Sequence, residues 1–192
     1  DYEPDMATSV GARAAAEGRA ALDAIFDAML EDEGHALLYF PIYNYTEGSL
    51  ENVRTMMNHP AALPGLSDGG AHVGTICDAS FPTFLLTWWV RDRAEGRIPL
   101  AEAVHRQTGK TAAFVGLDDR GVIAVGKKAD LNVIDLDGLK LLPPKLVADL
   151  PAGGQRLMQH AEGYRATVVS GEVIAEHGAF TGARPGRVVR SN

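Results

Sequence analysis

The chain has 192 residues, 46% of them apolar and 22% charged, a globular composition that excludes coiled-coil, collagen-like and disordered classes. Its net charge of −7 is concentrated at the start: residues 1–34 hold nine acids against Arg13 and Arg19, whereas the remainder balances at 16 acids and 16 bases. No basic stripe is left to release counterions from nucleic acid, and no apolar run approaches the roughly 20 residues that cross a bilayer.

Thr8 or Ser9 is positioned to cap a first helix that Gly18 closes. In the next segment Leu22, Ile25, Phe26, Met29 and Leu30 fall at helical spacing, with Asp23, Asp27 and Glu31 opposite and Gly34 as the stop. Residues 36–40 form a continuous apolar run before Pro41, which predicts a strand buried on both faces. Ser49 opens a helix carrying Leu50, Val53, Met56 and Met57, which His59-Pro60 ends, and residues 63–67 predict a second buried strand. Helix and buried strand in alternation indicate a parallel α/β architecture.

After a glycine-rich loop, Ser80 caps a helix whose Phe81, Phe84, Leu85 and Trp88 share a face, with Trp88 and Trp89 read as core. Residues 100–116 predict two short helices meeting at Gly109. Beyond Asp118 the pattern changes to short β-branched runs at residues 122–125, 131–136, 164–169 and 172–176, with Ser170-Gly171 as a two-residue hairpin turn.

Two familiar motifs are approximated. Gly65-Leu66-Ser67-Asp68-Gly69 matches a nucleophile elbow, which would make Ser67 a serine-hydrolase nucleophile, but that chemistry needs a helix directly behind the serine, and more glycine-rich loop follows instead. Gly109-Lys110-Thr111 ends like a phosphate loop, but Val104 stands where its first glycine belongs. The six histidines contain no His-x-His or His-Glu-x-x-His pair, and Cys77, the single cysteine, has no internal disulfide partner. A reducing, cytoplasmic location is the simpler expectation. Asp68 stands at the C-terminal end of a predicted buried strand, the edge where parallel α/β sheets and barrels place their chemistry, and His72 follows within the loop.

Taken in order, Ser67-Asp68-Gly69-Gly70-Ala71-His72, residues 81–93, Leu100-Ala101-Glu102-Ala103-Val104 with Thr108, Asp119-Arg120-Gly121, Gly126-Lys127-Lys128-Ala129-Asp130-Leu131 and Thr181-Gly182-Ala183-Arg184-Pro185-Gly186 resemble the C-terminal portion of the amidohydrolase superfamily. The similarity is to its D-aminoacylase, or N-acyl-D-amino-acid deacylase, branch.

The resemblance implies a metal-dependent (β/α)8 barrel beside a small β-sandwich. Residues 1–117 would hold the last two barrel strands with their helices, and residues 118–192 the returning sandwich strands and an extended tail. It implies a zinc-dependent hydrolase of carbon–nitrogen bonds in linear amides, with a small-molecule amide as substrate. Asp68 would be both the carboxylate beside the zinc and the proton shuttle of catalysis, and His72, Tyr43 and Asn44 would bind substrate. Neither nucleic acid nor membrane is an expected partner.

One Asp cannot hold zinc, and the family's other ligands have no counterparts here, so the chain is expected to be a piece of a longer enzyme that is inactive alone. It would associate with itself or with the remainder of the parent chain. The rival reading is a noncatalytic interaction module. The stretch after Asp68, Thr75-Ile76-Cys77-Asp78-Ala79-Ser80, departs from the arginine-containing segment of better-known D-aminoacylases.

Overall fold

The computed structural model describes residues 2–41, 43–65, 67–68 and 74–189. It divides into two compact units, residues 1–62 and 63–192.

The first unit is helical. A short 3-10 turn at Met6–Thr8 leads into α1 (Val10–Ala16), where the Ser9 side chain accepts a hydrogen bond from the Ala12 N–H at 3.1 Å. That bond satisfies one of the orphan donors of the first turn. Gly18, at φ +67, turns the chain into α2 (Ala21–Gly34). The last turn of α2 is broken: Asp32 and Glu33 take positive φ before Gly34, so the regular helix ends near Leu30. α3 (Glu51–Met57) follows, with the Ser49 hydroxyl accepting from the Glu51 N–H. The N-terminal segment is tied down by two long-range bonds: the Tyr45 hydroxyl donates to the Pro4 carbonyl at 2.8 Å, and the Leu50 N–H donates to the Glu3 carboxylate at 2.8 Å. Among the described residues of this unit, the buried apolar ones are Ala14 and Tyr45.

Among the described residues the expected barrel strands are not seen. Residues 36–40 and the described part of 63–67 are irregular rather than paired strands. A strand buried on both faces in a parallel sheet needs a hydrogen-bonded neighbour on each side. Among the described residues those neighbours are missing, and Phe40 is 78% exposed. No closed barrel is present among the described residues.

The second unit is built from helices and small antiparallel sheets. α4 (Phe81–Phe84) runs into a π-helix (Leu85–Asp92), followed by α5 (Leu100–Gln107) and α6 (Gly109–Phe114), which meet at Gly109 as the sequence predicts. The wider π turn, seen in the bond from the Arg93 N–H to the Trp88 carbonyl, shifts the buried face from the predicted set. Leu85, Leu86 and Trp89 are buried, and Trp88 is only half-buried. Trp89 is 1% exposed, Ile98, Ala103, Ala112 and Leu139 are the other buried apolar side chains among the described residues of this unit, and the Arg93 guanidinium lies 4.7 Å from the centre of the Trp89 ring.

Among the described residues eight short strands follow: β1 (Leu131–Ile134), β2 (Lys140–Leu141), β3 (Lys145–Val147), β4 (Arg156–Met158), β5 (Ala161–Glu162), β6 (Tyr164–Val169), β7 (Glu172–Glu176) and β8 (Ala179–Phe180). They assemble as a four-stranded sheet in the order β1-β6-β7-β8 and two ribbons, β2-β5 and β3-β4, with every pairing antiparallel. Ser170 and Gly171 both take positive φ, as a tight hairpin of the right hand requires. Residues 122–125 are not a strand: they form an exposed loop in which Val125 is wholly accessible.

Arg91 joins the helices to the sheets, its Nη1 donating to the carbonyls of Leu136 and Leu139. A second tie is the hydrogen bond between the Thr83 and Tyr164 hydroxyls at 2.7 Å. Among the described residues, no helix is long and apolar enough to cross a membrane.

Candidate active site

Asp68 lies in an exposed bend of the second unit, directly after half-buried Ser67. Its carboxylate is presented to solvent rather than packed into the core. The first helix described after Ser67 is α4, which starts at Phe81. An elbow serine depends on a helix N-terminus immediately behind it, so the described geometry gives Ser67 no such support. His72 lies outside the described residues.

Tyr43 and Asn44 belong to the first unit. Tyr43 is 79% exposed, and Asn44 takes φ +65, a left-handed conformation that asparagine tolerates better than most residues. Tyr45, by contrast, is buried and bound to Pro4, which makes it a packing residue.

Nine residues beyond Asp68 the chain enters a cavity of about 350 Å³. Cys77, Asp78, Ser80 and Thr83 line one side, with Arg156, Met158 and Gln159 among the residues opposite. The Ser80 hydroxyl donates to Gln159 Oε1 at 2.5 Å, and Gln159 Nε2 donates to the Leu142 carbonyl at 3.0 Å, so the amide is held at both ends. Arg156 is clamped by Asp149 through two bonds of 2.8 and 2.7 Å. The pair lowers the carboxyl pKa of Asp149 and raises that of the guanidinium. Burial, and then the neighbouring Asp78 carboxylate, push the Cys77 thiol above its ordinary value, which keeps it in the less reactive protonated form. Sequence reasoning missed this cavity because its two walls lie some 60 to 80 positions apart in the chain, and no local spacing links them.

The resemblance implies a zinc ion. A tetrahedral zinc centre takes three or four protein ligands. Among the described residues no group of three or more His, Cys, Asp and Glu side chains stands close enough to hold a metal ion. Asp68 offers one carboxylate, so the described residues do not fit a zinc centre by themselves.

A family model described as "Amidohydrolase family" matches residues 8–175. The chain belongs to that family, and within it the similarity falls in the D-aminoacylase branch. A D-aminoacylase from Alcaligenes xylosoxydans xylosoxydans is 38% identical over 94 residues, which make up 49% of this chain and 18% of that protein. The match therefore spans less than a fifth of the relative's length. No solved structure matches the chain.

Proposed function

We propose that this chain contributes the proton-transfer carboxylate to a hydrolase that cleaves carbon–nitrogen bonds in linear amides, with Asp68 as the group that moves the proton. The observation that carries the reading is the amidohydrolase family match over residues 8–175, which includes Asp68 and the strands from β1 into β7. Amide hydrolysis has two proton demands: the attacking water must lose one, and the departing amine must gain one before the C–N bond breaks. A single carboxylate that accepts the first and delivers the second serves both half-reactions. An exposed bend lets Asp68 reach a substrate without disturbing packed structure. Tyr43, Asn44 and His72 are proposed as substrate contacts, residues 1–117 as derived from a barrel and residues 118–192 as derived from a sandwich. Zinc, if this reaction uses it, draws most of its donors from residues other than those described.

The test is Asp68→Asn in the full-length natural protein, followed by release of the carboxylic acid from an N-acyl amide. Asparagine keeps the shape of the side chain but cannot accept the proton, so turnover should fall about a hundredfold or more. Turnover within about threefold of the unmodified protein would reduce Asp68 to a turn residue.

A further inference from the structure

We infer that the helix from Leu85 to Asp92 is a two-register element: the π register, held by Arg91, buries Trp89, and an α register, one residue shorter over the same span, buries Trp88 in its place. The trigger is the loop between β1 and β2, whose carbonyls Arg91 grips. This conformational device stands apart from the amide chemistry proposed above.

The run Leu85-Leu86-Thr87-Trp88-Trp89 falls on itself when moved by one position, Leu on Leu and Trp on Trp. At the α period Phe84 and Trp88 lie one turn apart, whereas a π turn, bonded i to i+5, brings Trp89 to the same side as Phe84. The structure shows the second arrangement: the Arg93 N–H donates to the Trp88 carbonyl at 2.9 Å, Trp89 is buried and Trp88 is half-buried. A slip of one residue exchanges one indole for the other and conserves the volume of the core, the kind of change that packed interiors tolerate best.

Both ends of the helix are anchored. Upstream, the Thr83 and Tyr164 hydroxyls are bonded at 2.7 Å, and Gln107 Nε2 donates to the Pro82 carbonyl at 2.9 Å. Downstream, Arg91 Nη1 donates to the carbonyls of Leu136 and Leu139 at 2.5 and 2.8 Å, while the Asp92 carboxylate holds Nε and Nη2 of the same guanidinium. These bonds fix where Arg91 must lie, and a π turn is the geometry that fits an extra residue between two anchors. In the α register Val90 would take the place of Arg91 and the grip on the carbonyls would be lost. Those bonds therefore exist in one register alone, which is the differential interaction that a conformational equilibrium requires. The residue released on tightening passes to residues 94–97, an exposed loop in which Gly96 takes φ +65.

Fluorotryptophan incorporated into the full-length natural protein tests this, with the two fluorine resonances assigned through Trp88→Phe and Trp89→Phe and a soluble gadolinium chelate added to broaden exposed rings. In the unmodified protein Trp88 should broaden more than Trp89. Arg91→Met removes the grip on the carbonyls and keeps the apolar stem, so the order should reverse and Trp88 become the protected ring. Deletion of Trp88 removes the extra residue outright, and the protein should still unfold in one cooperative transition with Trp89 protected. Trp89 remaining the protected ring in Arg91→Met, or both rings broadening alike there, would overturn the two registers. Loss of folding on deletion of Trp88 would overturn them as well, because an α register would then not fit between the anchors.

Discussion

Arg120 Nη1 reaches Asp130 Oδ2 at 3.1 Å, while the other oxygen of the same Asp130 carboxylate accepts the backbone N–H of Ser170 at 2.8 Å. One side chain thus joins the loop after α6 to the hairpin turn between β6 and β7. The Gly171 N–H donates to the Ala129 carbonyl, and the Lys128 N–H to the Asp119 carbonyl, closing the loop around it. The Asp119-Arg120-Gly121 and Ala129-Asp130-Leu131 segments, which carried part of the family resemblance, therefore do structural rather than chemical work.

Asp130→Ala should destabilise the second unit by about 1–2 kcal/mol, the range for losing charge-assisted hydrogen bonds, discounted because both side chains are partly exposed. Urea denaturation and hydrogen exchange at Ser170 and Gly171 measure it. Unchanged protection at those amides would show that the clamp is not needed for the turn.

Gly163 sits between β5 and β6 at φ +96, and a Cβ there would lie 2.6 Å from the Leu139 Cα. Backbone, unlike the end of a flexible side chain, cannot move aside cheaply. Gly163→Ala should cost about 2–4 kcal/mol by combining an unfavourable φ with a clash against a buried residue. Thermal unfolding gives the value, and a shift within scatter would mean that the β2-β5 ribbon is not held in this register.

Local chemistry made half of this fold legible in the sequence. The β6-β7 hairpin lies where its β-branched residues and Ser170-Gly171 predict it, and Gly109 divides two helices, because both features depend on neighbours a few positions away. Residues 36–40 look like a barrel strand, but their pairing depends on partners far along a chain, which no local pattern supplies. Strands of two or three residues, such as β2 and β5, are too short to show a period of two. The π-helix has no sequence signature that would have separated Trp89 from Trp88 as the buried ring. The reading of Asp68 rests on its immediate neighbours in the sequence, whereas no local pattern marks Arg156 and Gln159, which only folding brings opposite Ser80.

Stability should fall as the solution is acidified. The Gly138 N–H, and then Arg165, hold the Asp135 carboxyl below its ordinary value near 3.8, while Arg156 does the same for Asp149 and Arg120 for Asp119. A carboxyl whose pKa is lower folded than unfolded stabilises the fold above the unfolded value, and that contribution is lost as pH falls through the folded one. The urea midpoint should therefore hold from neutrality to about pH 5 and decline from there toward pH 2. Asp135→Asn should flatten part of the decline. A midpoint that rises on acidification would contradict these pairings.

The first unit should associate with itself. Leu22, Phe26, Met29 and Leu30 lie along α2 at 77%, 62%, 51% and 55% exposure, and Leu37, Leu38, Tyr39 and Phe40 follow, also exposed. Apolar side chains exposed in this number are uncommon on a soluble monomer, where the largest apolar patch is a few hundred Å². Burying it is favourable by roughly 25 cal/mol per Å². Opposing that, the same segment carries Asp23, Asp27, Glu31, Asp32 and Glu33, with Arg19 paired to Asp27 and Glu17. Two copies meeting through α2 would bring like charges together, and salt would screen them. Light scattering over a dilution series should accordingly show an oligomer at micromolar concentration that tightens as ionic strength rises. Phe26→Glu should weaken it by removing apolar contact and adding charge. A monodisperse monomer that unfolds cooperatively at every concentration would show that this surface is covered from within the chain.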